Sequence, residues 1–239
     1  MEGIIGRNYL HKIHSGVYKY ITSQKEFDEL PDKMEGYQIL IDFGSFNDMA
    51  RIDRKITGAE IIICDHKYAI VINSEVYTTE FSVVRAENSV VIGGDESYIQ
   101  ASKNAYIIAL GSKCKVYAEN NSTIELYNDS RCTTTSGTAK IFAWENSRVV
   151  AKHCDATINA YNNAHVYIKD VHQDVYVYNH AYASIDGYVS SIHAYNNSKV
   201  NLFTDEQITI HSHNGITIKR CTPTSKYISV EYSDIIRYC

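Results

Sequence analysis

Five aromatic side chains recur at a constant spacing of seventeen residues: Tyr127, Trp144, Tyr161, Tyr178 and Tyr195. Each sits in nearly the same text, from Leu126-Tyr127-Asn128-Asp129-Ser130, through Ala143-Trp144-Glu145-Asn146-Ser147, to Ala194-Tyr195-Asn196-Asn197-Ser198. A fixed period of this kind belongs to stacked structural units, not to a single globular core. Within each unit a second pattern runs Ile124, Cys132, Ile141, Val149, Ile158, Val166, Val175, Ala183, Ile192, Val200, in steps of eight and nine. Two residues after each member lies another small or apolar residue: Leu126, Ala143, Ala160, Val177 and Ala194 on one arm, Thr134, Ala151, Ile168, Ile185 and Leu202 on the other. Apolar residues at i and i+2 place both side chains on one face of a strand. One unit is therefore two short strands and two turns.

A unit this small cannot bury its own inner face. Stacked units can, because each strand pairs its backbone with the strands above and below, about 4.8 Å away. The expected fold is all-β: a single-stranded β-helix (β-solenoid) with coils of about seventeen residues. Asn128, Asn162, Asn179 and Asn196 share one register, and Asn146, Asn163 and Asn197 share the next. Asn tolerates the left-handed backbone region and bonds locally, so these positions are expected at turns. Stacked amides can also bond along the axis.

The repeat sets the expected boundaries. Residues 1–80 lack it and are expected to form an N-terminal cap, because open solenoid ends expose unpaired strand edges. Within them, Ser23-Gln24-Lys25-Glu26 is a capping-box pattern that predicts a short helix at 24–30 before Pro31. Strands are predicted at Tyr37–Asp42, Ile61–Cys64 and Ala69–Ile72. Residues 81–220 are the expected solenoid, with seven to eight coils in a rod of about 35 Å. Residues 221–239 are the expected C-terminal cap, with a turn at Thr222-Pro223-Thr224 and a strand at Tyr227–Tyr232. The aromatic position is expected to lapse after Tyr195, in the neighbourhood of His211 and Ser212.

Charge along the chain is mild. Residues 1–80 hold nine Lys/Arg against thirteen Asp/Glu, residues 81–204 hold ten against eleven, and residues 205–239 hold four against four. A near-neutral solenoid lacks the basic footprint of non-specific nucleic-acid binding. Six cysteines form no Cys-x-x-Cys pair, Met1–Arg7 carries no signal-peptide pattern and no run of eighteen apolar residues occurs. A reduced cytoplasmic protein that does not enter the membrane is the expectation.

Catalytic chemistry finds little support. Glycoside hydrolysis needs paired carboxylates, and the outward candidates Asp155 and Asp170 do not repeat from coil to coil. His211 and His213 are spaced to face one way, yet no third ligand converges on them, so neither metal nor other cofactor is expected. Gly93-Gly94-Asp95 reads as a turn. The chain also lacks the repeated aliphatic-Gly hexads of the hexapeptide acyltransferases. The ring column Tyr127, Trp144, Tyr161, Tyr178 and Tyr195 should face outward, flanked by His165, Tyr182 and Lys199. It can staple neighbouring coils, or it can serve a protein partner or a sugar chain.

Glu145-Asn146-Ser147-Arg148-Val149-Val150-Ala151 and Asn163-Ala164-His165-Val166-Tyr167-Ile168 resemble the Asn-Ser-Ser-Val-x-Ala units of short-repeat β-helix proteins of anaerobic bacteria and their phages. Ser23–Asp32 is similar to the leader that often precedes such repeats. That family implies an architecture and no established activity. Its link to phage and mobile-element gene sets implies a non-catalytic inhibitor of a host bacterial enzyme or defence complex, working in the host cytoplasm. Self-assembly into homo-oligomers and glycan binding are the alternatives.

Overall fold

The computed structural model describes residues 17–221, together with the backbone of two later strands, Ile228–Glu231 and Ile235–Tyr238. The chain winds as a β-solenoid of two parallel sheets, one of thirteen strands and one of twelve. Val17–Ile21 and Lys33–Ile41 both lie in the thirteen-stranded sheet, and from Lys33–Ile41 onward successive strands fall alternately in the two sheets, so the coil makes twelve turns. The one α-helix among the described residues is Gln24–Asp28.

The alternating apolar residues meet inside, as their spacing requires. Ile107, Ile124, Ile141, Ile158, Val175, Ile192 and Ile210 lie over one another in the thirteen-stranded sheet, each pairing with the next. Ile99, Val116, Cys132, Val149, Val166, Ala183, Val200 and Ile218 form the facing column. Every one of these side chains is buried. Burying a Val or Ile side chain stabilises the fold by about 1.5–3 kcal/mol, and each turn of the coil repeats the gain. The second inward residue of each strand is often Ala, as at Ala109, Ala143, Ala160 and Ala194, which lets the two sheets close on a narrow interior.

Each ring position opens a tight turn. The backbone N–H groups of Ser130, Ser147, Ala164, Ala181 and Ser198 donate to the carbonyls of Tyr127, Trp144, Tyr161, Tyr178 and Tyr195, three residues earlier. The residue after the ring takes a left-handed φ: 55° at Asn128, 58° at Glu145, 59° at Asn162, 48° at Asn179 and 49° at Asn196. Asn suits this conformation because its short amide offsets the local strain. In the next register Asn197 is also left-handed (60°), whereas Asn146 and Asn163 are not. The Asn196 side chain donates to the Asn179 carbonyl oxygen at 3.1 Å, an amide bond along the axis.

Two expectations about extent are corrected. Coiling is not confined to residues 81–220: Val17–Ile21, Lys33–Ile41, Thr57–Ile63 and Glu75–Thr78 already pair in the thirteen-stranded sheet, and Ala50–Ile52 and Tyr68–Ile72 in the other. At the far end Ile228–Glu231 and Ile235–Tyr238 extend both sheets. The turn expected at Thr222-Pro223-Thr224 lies outside the described residues. The rod therefore has twelve turns instead of seven or eight. The reason is a changing coil length. Val84 pairs with Ile99, fifteen residues on. Val149 pairs with Val166, seventeen on. Val200 pairs with Ile218, eighteen on. The interior columns persist while the period drifts, so a strict seventeen-residue pattern fades at both ends.

The N-terminal helix closes one sheet. Ser23 is its N-cap, accepting from the Glu26 N–H at 3.3 Å. The Glu26 carboxylate reaches back to the Thr22 N–H at 2.7 Å. Phe27 and Leu30 insert into the core. Gln24 then does what a preceding strand would do. Its amide donates to the Arg51 carbonyl at 2.9 Å and accepts from the Arg51 N–H at 2.8 Å. Thus the first strand of the twelve-stranded sheet, Ala50–Ile52, has its open edge occupied by one side chain.

Candidate partner-binding edge

The ring column forms along the turn between the two sheets. Tyr127 and Trp144 have centroids 6.3 Å apart and planes within 6°. Trp144 and Tyr161 approach to 3.9 Å at 9°. Tyr161–Tyr178 and Tyr178–Tyr195 follow, both at 4.8 Å, with planes within 6° and 8°. The column does not lapse after Tyr195. His213 stacks on Tyr195 at 4.7 Å and 5°. His213 was missed because the coil gains a residue there, so the next ring falls eighteen positions on. Towards the N-terminus the rings stop at Tyr127. The next position in the column is Leu110, which follows Ala109 as Tyr127 follows Leu126, and the one beyond it is Gly94, where a Cβ would come within 2.4 Å of the Thr78 carbonyl oxygen.

The rings stack face to face along the rod, so their edges point outward. All are half-buried. Burial pushes the Tyr161 hydroxyl above its ordinary pKa, and burial together with the neighbouring phenols pushes Tyr178 up to about 12. Tyr127 is raised by burial and by its hydrogen bond to Glu125, at 2.9 Å. At neutral pH the column thus offers neutral phenols edge-on. The Trp144 Nε1–H is buried without a hydrogen-bond partner among the described residues.

A second ring column runs beside the first on the outer face of the thirteen-stranded sheet. Tyr176 stacks on His193, and His193 on His211, each at 4.6 Å. His193 also meets the Ser191 hydroxyl at 3.0 Å, and that hydroxyl donates to Asp174 at 2.7 Å. Burial and the adjacent His211 lower the His193 pKa. His211 and His213 thus extend two different ring columns. Among the described residues, no group of three or more His, Cys, Asp or Glu side chains could hold a metal ion.

The remaining flanking residues fall into one register. His165 pairs with Tyr182, and Tyr182 with Lys199, at the start of successive strands of the twelve-stranded sheet. The same register continues backwards through Arg148 and Arg131 to Lys115. Rings, turn asparagines and this cationic column therefore run side by side along one edge of the rod.

Asp155 and Asp170 lie at the opposite turn. The Asp170 carboxylate meets His153 Nδ1 at 3.2 Å and accepts from the Tyr188 N–H at 3.0 Å. Asp155 meets His172 Nδ1 at 3.2 Å. A shallow groove of about 390 Å³ beside Asp155 is otherwise lined by Asn, Thr, Lys and Gln side chains, including Asn121 and Lys140. It brings one carboxylate to the surface where glycoside hydrolysis uses two.

No protein-family model, curated protein or solved structure matches this chain. No helix among the described residues is long and apolar enough to cross a membrane.

Proposed function

We propose that the protein is a non-catalytic binding rod whose ring-bearing edge docks on a protein partner. The observation that carries this reading is the six-membered stack from Tyr127 to His213. Its rings are rigid and half-buried, and they sit in one straight line on a scaffold that needs no ordering on binding. Aromatic anchors of this kind dominate protein interfaces. The stacking also argues against the glycan alternative. A sugar ring lies on an open aromatic face, and here the faces are taken by neighbouring coils. As the resemblance to phage-borne repeats implies, we further propose that the partner is a host bacterial enzyme or defence complex. A rod covering its working surface inhibits it without chemistry of its own.

Affinity capture from a host lysate, followed by mass spectrometry, identifies the partner. The deciding measurement is then the affinity of Tyr161→Ala with Tyr178→Ala for that partner. Loss of two anchors should weaken binding at least roughly tenfold while circular dichroism shows the fold intact. A lower melting temperature with unchanged affinity of the folded fraction would mean that the rings only staple the coils.

A further inference from the structure

The cationic column beside the rings has no internal explanation. Lys115, Arg131 and Arg148 occupy one register on three successive strands, followed by His165, Tyr182 and Lys199. The five basic members are exposed. Like charges directly opposite one another on paired strands destabilise a sheet. Elsewhere this rod relieves such crowding with ion pairs between coils, such as Lys113 with Glu96 at 2.9 Å and Lys169 with Asp186 at 3.5 Å. The side chains of Lys115, Arg131, Arg148 and Lys199 make no ion pair or hydrogen bond among the described residues. Asp186, an acid on the same outer face, is already engaged by Lys169 and by the Tyr167 hydroxyl at 2.9 Å. A chain of net charge −5 thus sets a line of unpaired cations along one edge.

Resting on the reading of that edge as a protein-binding surface, we propose that its partner presents an acidic segment, whose carboxylates pair with the column from Lys115 to Lys199 while the rings anchor on the other side of the turn. Two observations favour an acidic protein over nucleic acid. Proteins that bind single-stranded nucleic acid combine a cationic groove with free aromatic faces on which successive bases stack. Two of the rings in and beside the column already have a neighbour: Tyr182 meets His165 at 5.5 Å, and Tyr167 lies under the Lys152 ammonium at 5.7 Å. Duplex DNA is read by an element narrow enough for a groove, a helix or a two-stranded ribbon, and this column stands on a twelve-stranded sheet. Arginine beside aromatic side chains is, in contrast, the composition of protein interface centres.

The test uses the full chain and a fluorescein-labelled poly-L-glutamate of about twenty residues, with binding followed by anisotropy from about 50 to 300 mM salt. Binding should weaken as salt rises. Arg131→Glu with Arg148→Glu should weaken it roughly tenfold or more, because both cations are exposed and replaced by repelling charges. Lys55→Glu with Lys140→Glu changes net charge equally but lies off the column, and should bind nearly as the unaltered protein does. Equal losses in the two variants would overturn the proposal, since net charge alone would then account for binding. Tighter binding to oligo-dT of the same length would overturn it in favour of nucleic acid. Salt-sensitive self-association by sedimentation, abolished by the arginine pair, would overturn it in favour of a second copy of this chain. No poly-glutamate binding, with capture of a protein partner still dependent on Tyr161 and Tyr178, would remove the acidic partner and leave the edge reading standing.

Discussion

At the scale of single residues the interior takes apolar side chains, thiols, small hydroxyls and the Gln38 amide, and no charged group among the described residues. Val166 is 1% exposed in a column only one side chain wide. Val166→Asp places an unpaired charge there, at a cost on the order of 3–5 kcal/mol. The expected outcome is loss of the cooperative thermal transition seen by circular dichroism; soluble variant protein with an unshifted transition would contradict the register. The cysteines give a milder probe. Cys114 and Cys132 are buried and unbridged, Ser97 meets the Cys114 thiol at 3.3 Å, and burial pushes that thiol up to about 12. The Cys132 thiol is raised by burial as well. Only a thiolate attacks a disulfide reagent, so both should stay unmodified near neutral pH until denaturant is added. Mass spectrometry of the labelled peptides checks this. Early labelling of Cys132 would mean that the coils open locally.

At the scale of elements, two devices hold what pairing alone does not. Gln24 occupies the open edge of Ala50–Ile52 with two hydrogen bonds, so Gln24→Ala exposes a strand edge and removes about 1–3 kcal/mol. Urea titration should show a lower midpoint, together with a rise in aggregation that the unaltered chain lacks. The second device, the stack Tyr176–His193–His211, should respond to pH. The His193 pKa is lowered from its ordinary 6.5 by burial and by His211 and His213, with Asp174 opposing. The unfolded chain therefore takes up its proton first as pH falls. The contribution of His193 is fully present above about pH 6.5 and is lost as pH falls through the depressed folded value. His193→Tyr keeps a ring in the stack without the titration, and should flatten the fall in melting temperature between about pH 7 and pH 5. An identical slope in the two proteins would assign the acid sensitivity to other groups. These elements also show what sequence could and could not disclose. The inward columns and the outward rings were legible because stacking puts like residues at one spacing. His213 and the fifteen-residue coils near Val84 were hidden because the period changes while the columns continue. The cations were hidden for another reason. Summing charge along the chain mixes every face of the rod, whereas Lys115, Arg131 and Arg148 recur at steps of sixteen and seventeen, like the residues of the core.

At the scale of the whole molecule, twelve turns at strand spacing make a rod of about 58 Å before side chains and turns are added at the ends. Small-angle scattering should give an elongated particle with a maximum dimension above about 60 Å, where a compact chain of this length, with a radius of gyration near 18 Å, would span about 45 Å. A compact profile would contradict the coil count. Each coil touches mainly its neighbours, so unfolding from an end can proceed one turn at a time. The drift in coil length has a consequence for recognition. Coils run from nineteen to twenty-four residues at the N-terminal end to fifteen near Val84, then to seventeen and, at the far end, eighteen to twenty, so the rod is an unevenly contoured ruler, graduated in strand spacings, whose outline changes from height to height. A partner that clasps it can seat at one height and in one direction only. Removing one complete coil would leave every contact chemically unchanged and bring the marks on either side one graduation closer together.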